Sequence, residues 1–308
     1  MTRTCPPCRR KQRTLLITAY TANTANTANA AITANTVATA QGVSKSFSRK
    51  TILDGVNIQL AEGRIYGLVG RNGTGKSTLL SLLAGQARYK GKIEVLGQAP
   101  FDNTEVMDQV VFAGVDTAYP SSWKFGAIVK VAAQRYPHWQ QEVAEHLIEV
   151  FSLDLSTRHG SASRGQRSML AIVIALAARA PLTLLDEPYL GLDAYNLEAF
   201  YRELLAELEV HPRTVVLATH DLHATSQVVD SYLVLRDGVV RTLDAALLDD
   251  ALVEVTVTGS LPTELEEAAL AKETVGGNTR VIVKRGVAQG KPVNLEDAVK
   301  LAMGGLDV

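Results

Sequence analysis

Residues 70 to 78 read Gly-Arg-Asn-Gly-Thr-Gly-Lys-Ser-Thr, and they fit the phosphate-loop spacing G-x-x-x-x-G-K-[ST] through Gly70, Gly75, Lys76 and Ser77. Gly73 and Gly75 lack a Cβ, so the backbone between them can curl and aim successive N–H groups at one anion. Lys76 adds a point charge for the β and γ phosphates, and Ser77 offers a hydroxyl to Mg²⁺. Asn72 and Thr78 fall within the same loop and count as part of the cradle. A glycine-rich turn that binds nothing is the bland alternative. A second stretch, Leu182-Thr-Leu-Leu-Asp186-Glu187, is an apolar run that ends in two carboxylates. A third, Val215 to Ala218, runs into Thr219-His220-Asp221. A lone histidine is more often structural than reactive, so His220 gains interest only from its place in this order.

These side chains need a scaffold. Ile65 to Val69 is short and apolar, as a buried strand should be, and Ser77 to Ala84 has helical spacing that stops at Gly85. The glycine loop therefore sits between a strand and a helix, and the nascent helix contributes its positive end. Helical and strand patterns alternate to Val240, which predicts an α/β core with parallel strands. In such sheets ligands gather beyond the carboxyl ends of the strands, where Asp186, Glu187 and His220 fall. Ile52 to Leu60 alternates in part, with a turn expected at Asp54-Gly55. Residues 120 to 155 read as mainly helical. Val143, Leu147, Val150 and Phe151 share one face.

Ala162-Ser163-Arg164-Gly165-Gln166 resembles the signature sequence of ATP-binding-cassette (ABC) ATPases, usually Leu-Ser-Gly-Gly-Gln. Ser163, Gly165 and Gln166 match, whereas Ala162 and Arg164 depart. Without the other motifs this would be only a helix cap. Gly191-Leu192-Asp193 resembles that family's D-loop, and Phe47 resembles the aromatic that stacks on adenine, with a core residue as the alternative. The motifs also fall in the family's order over about residues 36 to 245. The resemblance implies an α/β fold: a P-loop NTPase (ABC ATPase) core at 35–245, a mostly helical subdomain inserted at about 115–160, and a small C-terminal α+β appendage at 251–308. It implies ATP and Mg²⁺ as cofactors. Ser77 and Asp186 would serve the metal, Glu187 would be the general base, and His220 would contact the γ-phosphate. Ser163, Gly165, Gln166 and Asp193 of one subunit would complete the site of another. The family's glutamine between core and helical subdomain is missing. Gly114 or Asp116 falls in its slot, and Asp116 would then reach a hydrated magnesium.

The formal net charge of −1 gives no electrostatic case for nucleic acid. Cys5 and Cys8 form a lone C-x-x-C without the further ligands a zinc site needs. No stretch approaches the roughly 20 apolar residues of a membrane span, so the chain is expected to be soluble by itself. Residues 1 to 34 hold a basic cluster and the triplet Thr-Ala-Asn at 21–23, 24–26 and 27–29. Such a stretch cannot bury a core and is expected to be a disordered tail. It is either foreign to the domain or a basic tail touching a membrane, and its apolar run is too short for a secretory signal.

What the resemblance implies is an ATP-hydrolysing transporter subunit at the cytoplasmic face of the cell membrane. It would close as a homodimer or heterodimer around ATP and drive a separate integral membrane permease. Export is favoured because Tyr136-Pro137-His138-Trp139 looks like exporter-type subunits. Tyr119, Trp123 and Phe125 are expected to touch the permease or to fill local core. A soluble ABC ATPase acting on ribosomes or DNA, or a low-turnover regulatory module, is the other reading.

Overall fold

The computed structural model describes residues 36–48, 50–244 and 252–304. The low-complexity stretch expected at 1–34, with its two cysteines, and the junction at 245–251 lie outside the described residues.

The chain opens on two long strands, β1 (Thr36–Phe47) and β2 (Lys50–Ala61). Asp54-Gly55 does not turn the chain, as its composition predicts, but lies inside β2. The Gly55 amide donates to Ser44 Oγ at 2.9 Å, so the strand is distorted at that point without ending. Next come β3 (Ile65–Val69), α1 (Lys76–Leu83) and β4 (Lys90–Val95), which pairs antiparallel with β1. A short helix α2 (Thr104–Met107) leads to β5 (Val110–Gly114), α3 (Phe125–Arg135) and α4 (Gln141–Val150). After one 3-10 turn at His159–Ser161 come α5 (Arg164–Ala177), β6 (Leu182–Asp186), α6 (Ala194–Val210) and β7 (Thr214–Thr219). The short α7 (Leu222–Thr225) precedes the hairpin β8 (Ser231–Arg236) and β9 (Val239–Asp244).

The central sheet has six strands in the order β5-β6-β7-β3-β8-β9. The first five run parallel and β9 is antiparallel. Strands β3 and β7 are buried along their whole length. That burial is why they read as continuous apolar runs and do not alternate. Ile65, Leu185, Val215 and Leu217 face one core, shared with α3, α4, α5 and α6. Tyr66, Leu68, Leu184 and Val216 face the other, closed by α1 and the β2-β1-β4 sheet. Ten residues of α5 are buried, from Gly165 to Ala177. At about 1.5–3 kcal/mol for each large apolar side chain, that burial anchors the helix and with it the turn at its N-terminus.

Beyond the junction lie β10 (Leu252–Thr258), α8 (Thr263–Glu267), β11 (Ala271–Val275), β12 (Asn278–Lys284), β13 (Lys291–Pro292) and α9 (Leu295–Gly304). The four strands form an antiparallel sheet, β11-β12-β10-β13. Asn294 caps α9 by accepting from the Asp297 amide at 2.8 Å, as its position before the apolar run predicts. The helix has two buried faces. Val299 and Ala302 pack with Leu222 of α7 and with Tyr232 and Leu243 of the large sheet, while Ala298 and Leu301 pack with Leu252 and Ile282 of the small one.

Phe125 is fully buried and packs with Ile128, Leu147 and Phe151, so it cannot meet a partner. Trp123 remains exposed.

Candidate functional site

Sheet register decides which side chains meet. Gly114 pairs with Asp186, Asp186 with Ala218, and Val69 with Thr219. The carboxyl ends of β5, β6, β7 and β3 therefore finish level, and the residues that follow each of them emerge along one edge. The Glu187 amide donates to Ala218 O at 3.1 Å, which ties the acid pair to the strand carrying His220.

A cavity of about 370 Å³ opens at that edge. Its walls include Phe47, Asn72, Gly73, Gly75, Lys76, Ser77, Thr78, Asp116, Asp186 and Glu187. Gly75 is the N-cap of α1 at φ 109°, and a Cβ there would lie 2.7 Å from Ile52 Cγ2. Only glycine allows both the backbone angle and the close approach. Gly70 stands behind the cradle, where its carbonyl accepts from Lys76 Nζ at 3.0 Å. Lys76 is 6% exposed, and Glu187 Oε1 lies 3.7 Å from its ammonium. A buried cation with one carboxylate at that distance has room and charge for a polyanion.

Burial pushes the Asp186 carboxyl above the ordinary carboxylate range. The Ser77 hydroxyl and the Lys76 charge oppose that shift, whereas Glu187 and Asp116 add to it. Among the described residues no group of three or more His, Cys, Asp or Glu side chains is placed to hold a metal alone. Magnesium does not need one, because it commonly takes one or two carboxylates with water and substrate phosphates as its other ligands. Ser77, Asp186 and Asp116 fit such a shared site. A side chain at Gly114 would meet Asp186 O at 2.6 Å, and of the residues that follow it Val115 and Asp116 line the cavity, Asp116 alone with a carboxylate.

Phe47 is 54% exposed at the mouth, with Lys45 Nζ 4.9 Å from its ring centroid, so it is not a core residue. His220 stands beside Glu187 with Nδ1 3.6 Å from Oε1, and its ring is 52% exposed.

His220 itself lines the neighbouring cavity and not this one, and the remaining expected residues do not line this cavity either. Ser163 and Gln166 form a reciprocal capping box on α5: the Gln166 amide donates to Ser163 Oγ at 3.1 Å, and the Ser163 amide to Gln166 Oε1 at 2.9 Å. Asp193 caps α6 by accepting from the Asn196 amide at 2.8 Å. Gly165 packs backbone to backbone on Gly191, where an added Cβ would lie 2.4 Å from Gly191 O. Sequence reasoning missed Tyr189, whose hydroxyl bonds both the ring and the backbone of His220. No local pattern advertises that contact, since it spans two strand ends.

Comparison with known proteins agrees with this geometry. Residues 53–190 match the family model described as ABC transporter. The chain is 33% identical over 218 residues to an ABC transporter ATP-binding protein of Bacillus thuringiensis subsp. konkukian, covering 68% of this chain and 39% of that one. The chain thus spans well under half the length of the first curated relatives it matches. It is 31% identical over 219 residues to the zinc uptake system ATP-binding protein ZurA of Listeria monocytogenes, with 66% of this chain and 84% of that one aligned. A solved structure of an ATP-binding subunit of an ABC transporter superposes with a TM-score of 0.60 at 24% identity, over 68% of this chain and 90% of that one. That likeness shows the same P-loop NTPase fold. With the motifs, their register and these matches in one order along the chain, the protein belongs to the family of ABC transporter ATP-binding proteins and carries their ATPase domain.

Proposed function

We propose that the chain binds and hydrolyses ATP to drive an ABC transporter whose membrane-spanning part is a separate integral membrane permease. Lys76 and the loop amides from Gly73 to Thr78 hold the phosphates, and Phe47 offers a flat face to the adenine. Ser77 and Asp186, with Asp116 beside them, would hold the metal. When bound, magnesium neutralises charge on the terminal phosphate oxygens. Glu187 accepts a proton from a water that attacks the γ-phosphorus as the bond to the leaving ADP breaks. His220 steadies the terminal phosphate.

Ser163, Gly165, Gln166 and Asp193 act on the nucleotide of a second subunit, so that two copies, or this chain and a related one, close head to tail around two ATP molecules. ATP favours closure because it binds the closed state better than the open one. The observation that carries this reading is the buried Lys76 ammonium, in a cavity shared with Ser77, Asp186 and Glu187. We assign residues 35–245 to the catalytic domain, with its helical part at 115–160, and 251–308 to the appendage.

No described helix is long and apolar enough to cross a membrane, which agrees with a subunit held at the cytoplasmic face by its permease. The segment that favours export, Tyr136 to Trp139, forms the corner between α3 and α4, where Trp139 Nε1 donates to Gln141 Oε1 at 3.1 Å. That corner has a structural use and carries no information on direction, while ZurA is by name an uptake protein. Direction is therefore settled by transport into or out of vesicles. Magnesium-dependent ATPase activity of the purified chain, together with copurification of a polytopic membrane protein, is the result expected. Absence of ATP binding by calorimetry would overturn the reading.

A further inference from the structure

Tyr189 follows Glu187-Pro188 and points inward, 9% exposed, because two tight turns frame it. Leu190 N–H donates to Glu187 O at 3.2 Å, and Leu192 N–H to Tyr189 O at 3.1 Å. Its hydroxyl oxygen lies 2.9 Å from the backbone nitrogen of His220 and 2.8 Å from Nδ1 of the same residue. The two rings meet edge to face, with centroids 5.4 Å apart.

These two short contacts limit where the protons can lie. An amide N–H can only donate, so the phenol oxygen accepts from His220 N. The phenol has one hydrogen, which it can donate to Nδ1, 2.8 Å away. An Nδ1 that accepts carries no proton, which leaves the ring hydrogen on Nε2. Burial raises the Tyr189 hydroxyl above its usual value, so the phenol keeps that hydrogen at neutral pH.

Other groups face the ring. Glu187 Oε1 would favour a proton on Nδ1, but at 3.6 Å it lies outside hydrogen-bond reach. Thr219 also approaches the phenol, yet its hydroxyl already accepts from the Asp221 amide at 2.9 Å and turns toward Asp221 O at 3.3 Å. Asp221, with Glu296 and Lys300 of α9, borders the open side. Lys300 pairs with Glu296 at 2.8 Å.

We infer that Tyr189 is a positioning residue that holds His220 as the neutral Nε2–H tautomer, so that the ring presents a hydrogen-bond donor to the terminal phosphate. The inference rests on the proposed role of His220 for its consequence, but not for its geometry. A phosphate oxygen is an acceptor, so an Nε2 lone pair would repel it while an Nε2–H attracts it. Tyr189 thus removes the choice before nucleotide arrives.

The test is nitrogen-15 NMR of the histidine rings in the full chain without nucleotide, above the histidine titration range. The His220 signals are identified by their loss in His220→Gln. The parent protein is expected to show His220 with its proton on Nε2 alone. Tyr189→Phe, which keeps the ring and its packing, is expected to show both tautomers in exchange. Its kcat for ATP should fall about fivefold to tenfold, the effect of one lost hydrogen bond, with KM within about twofold. An Nδ1–H tautomer in the parent protein, or an unchanged tautomer in Tyr189→Phe, overturns the inference. The parent spectrum decides even if the variant does not fold. The role of His220 is judged separately: full ATPase activity in His220→Ala would remove that role and leave the tautomer result standing.

Discussion

The loop at Gly70–Thr78 and the turn at Ser163–Gln166 both precede a helix and both have the chemistry to receive an anion, but they are in different states. The first is open: its lysine is buried, Gly73 and Gly75 turn the chain at positive φ, and its residues line a cavity. The second is closed on itself, since Ser163 and Gln166 satisfy each other and Gly165 rests on Gly191. A P-loop built from local residues is ready when the chain folds. A signature turn satisfied by its own cap does nothing for the nucleotide of its own subunit, and the proposed partner would have to present its ligand to it.

The sharpest way to probe the open half is Glu187→Gln. Steady-state ATPase activity should drop by about 100-fold or more, the usual loss on removing a general base. ATP affinity should persist, and size-exclusion chromatography with ATP should show a trapped dimer. Turnover at the parental rate would deny Glu187 that role. Lys76→Ala comes next, with ATP affinity by calorimetry expected to fall about 100-fold as the cavity loses its cation. Ser163→Ala tests the closed half directly. As a cap alone Ser163 is worth about 1 kcal/mol of stability, read by denaturant unfolding. As a ligand for a partner's phosphate its loss should also cut turnover by about tenfold. A variant that is less stable but fully active would make the turn structural and end the contrast. Phe47→Ala should weaken ATP by about fivefold to tenfold if the exposed ring stacks on a base, with little change in Tm because Phe47 packs little core. Equal affinity would assign the ring to another surface.

The open half was legible in the sequence, and so was the helix cap of the closed half; what was not legible lies in contacts between distant elements. Gly70, Gly75, Lys76 and Ser77 sit within one turn of chain, so spacing alone specifies their geometry. The acid pair and His220 were legible because an apolar run ending in polar residues marks the end of a buried strand. Several points that the sequence missed or left open depend on long-range packing. Asp54-Gly55 has turn chemistry, yet β2 continues through it because the strand is braced by β1 and by the β8–β9 turn, where Asp54 N–H donates to Gly238 O at 2.9 Å. Phe125 could be a partner contact or local core by sequence, and the packing of α3 on α5 makes it core. The Tyr189–His220 contact joins residues 31 apart, and no period of 2 or 3.6 registers such a pair. Gly114 and Asp116 remained ambiguous for a missing glutamine until the register of β5 on β6 filled the space beside Gly114 with Asp186.

The helix α9 is gripped on two sides, because two separate sheets pack against it. A version of this protein ended after β9 would carry a raw apolar scar over Tyr232 and Leu243 and lose the prop behind Leu222, two residues from His220. Residues 252–304 therefore work as a keystone and not as a detachable tag, and a push on the small sheet would reach the segment that carries His220.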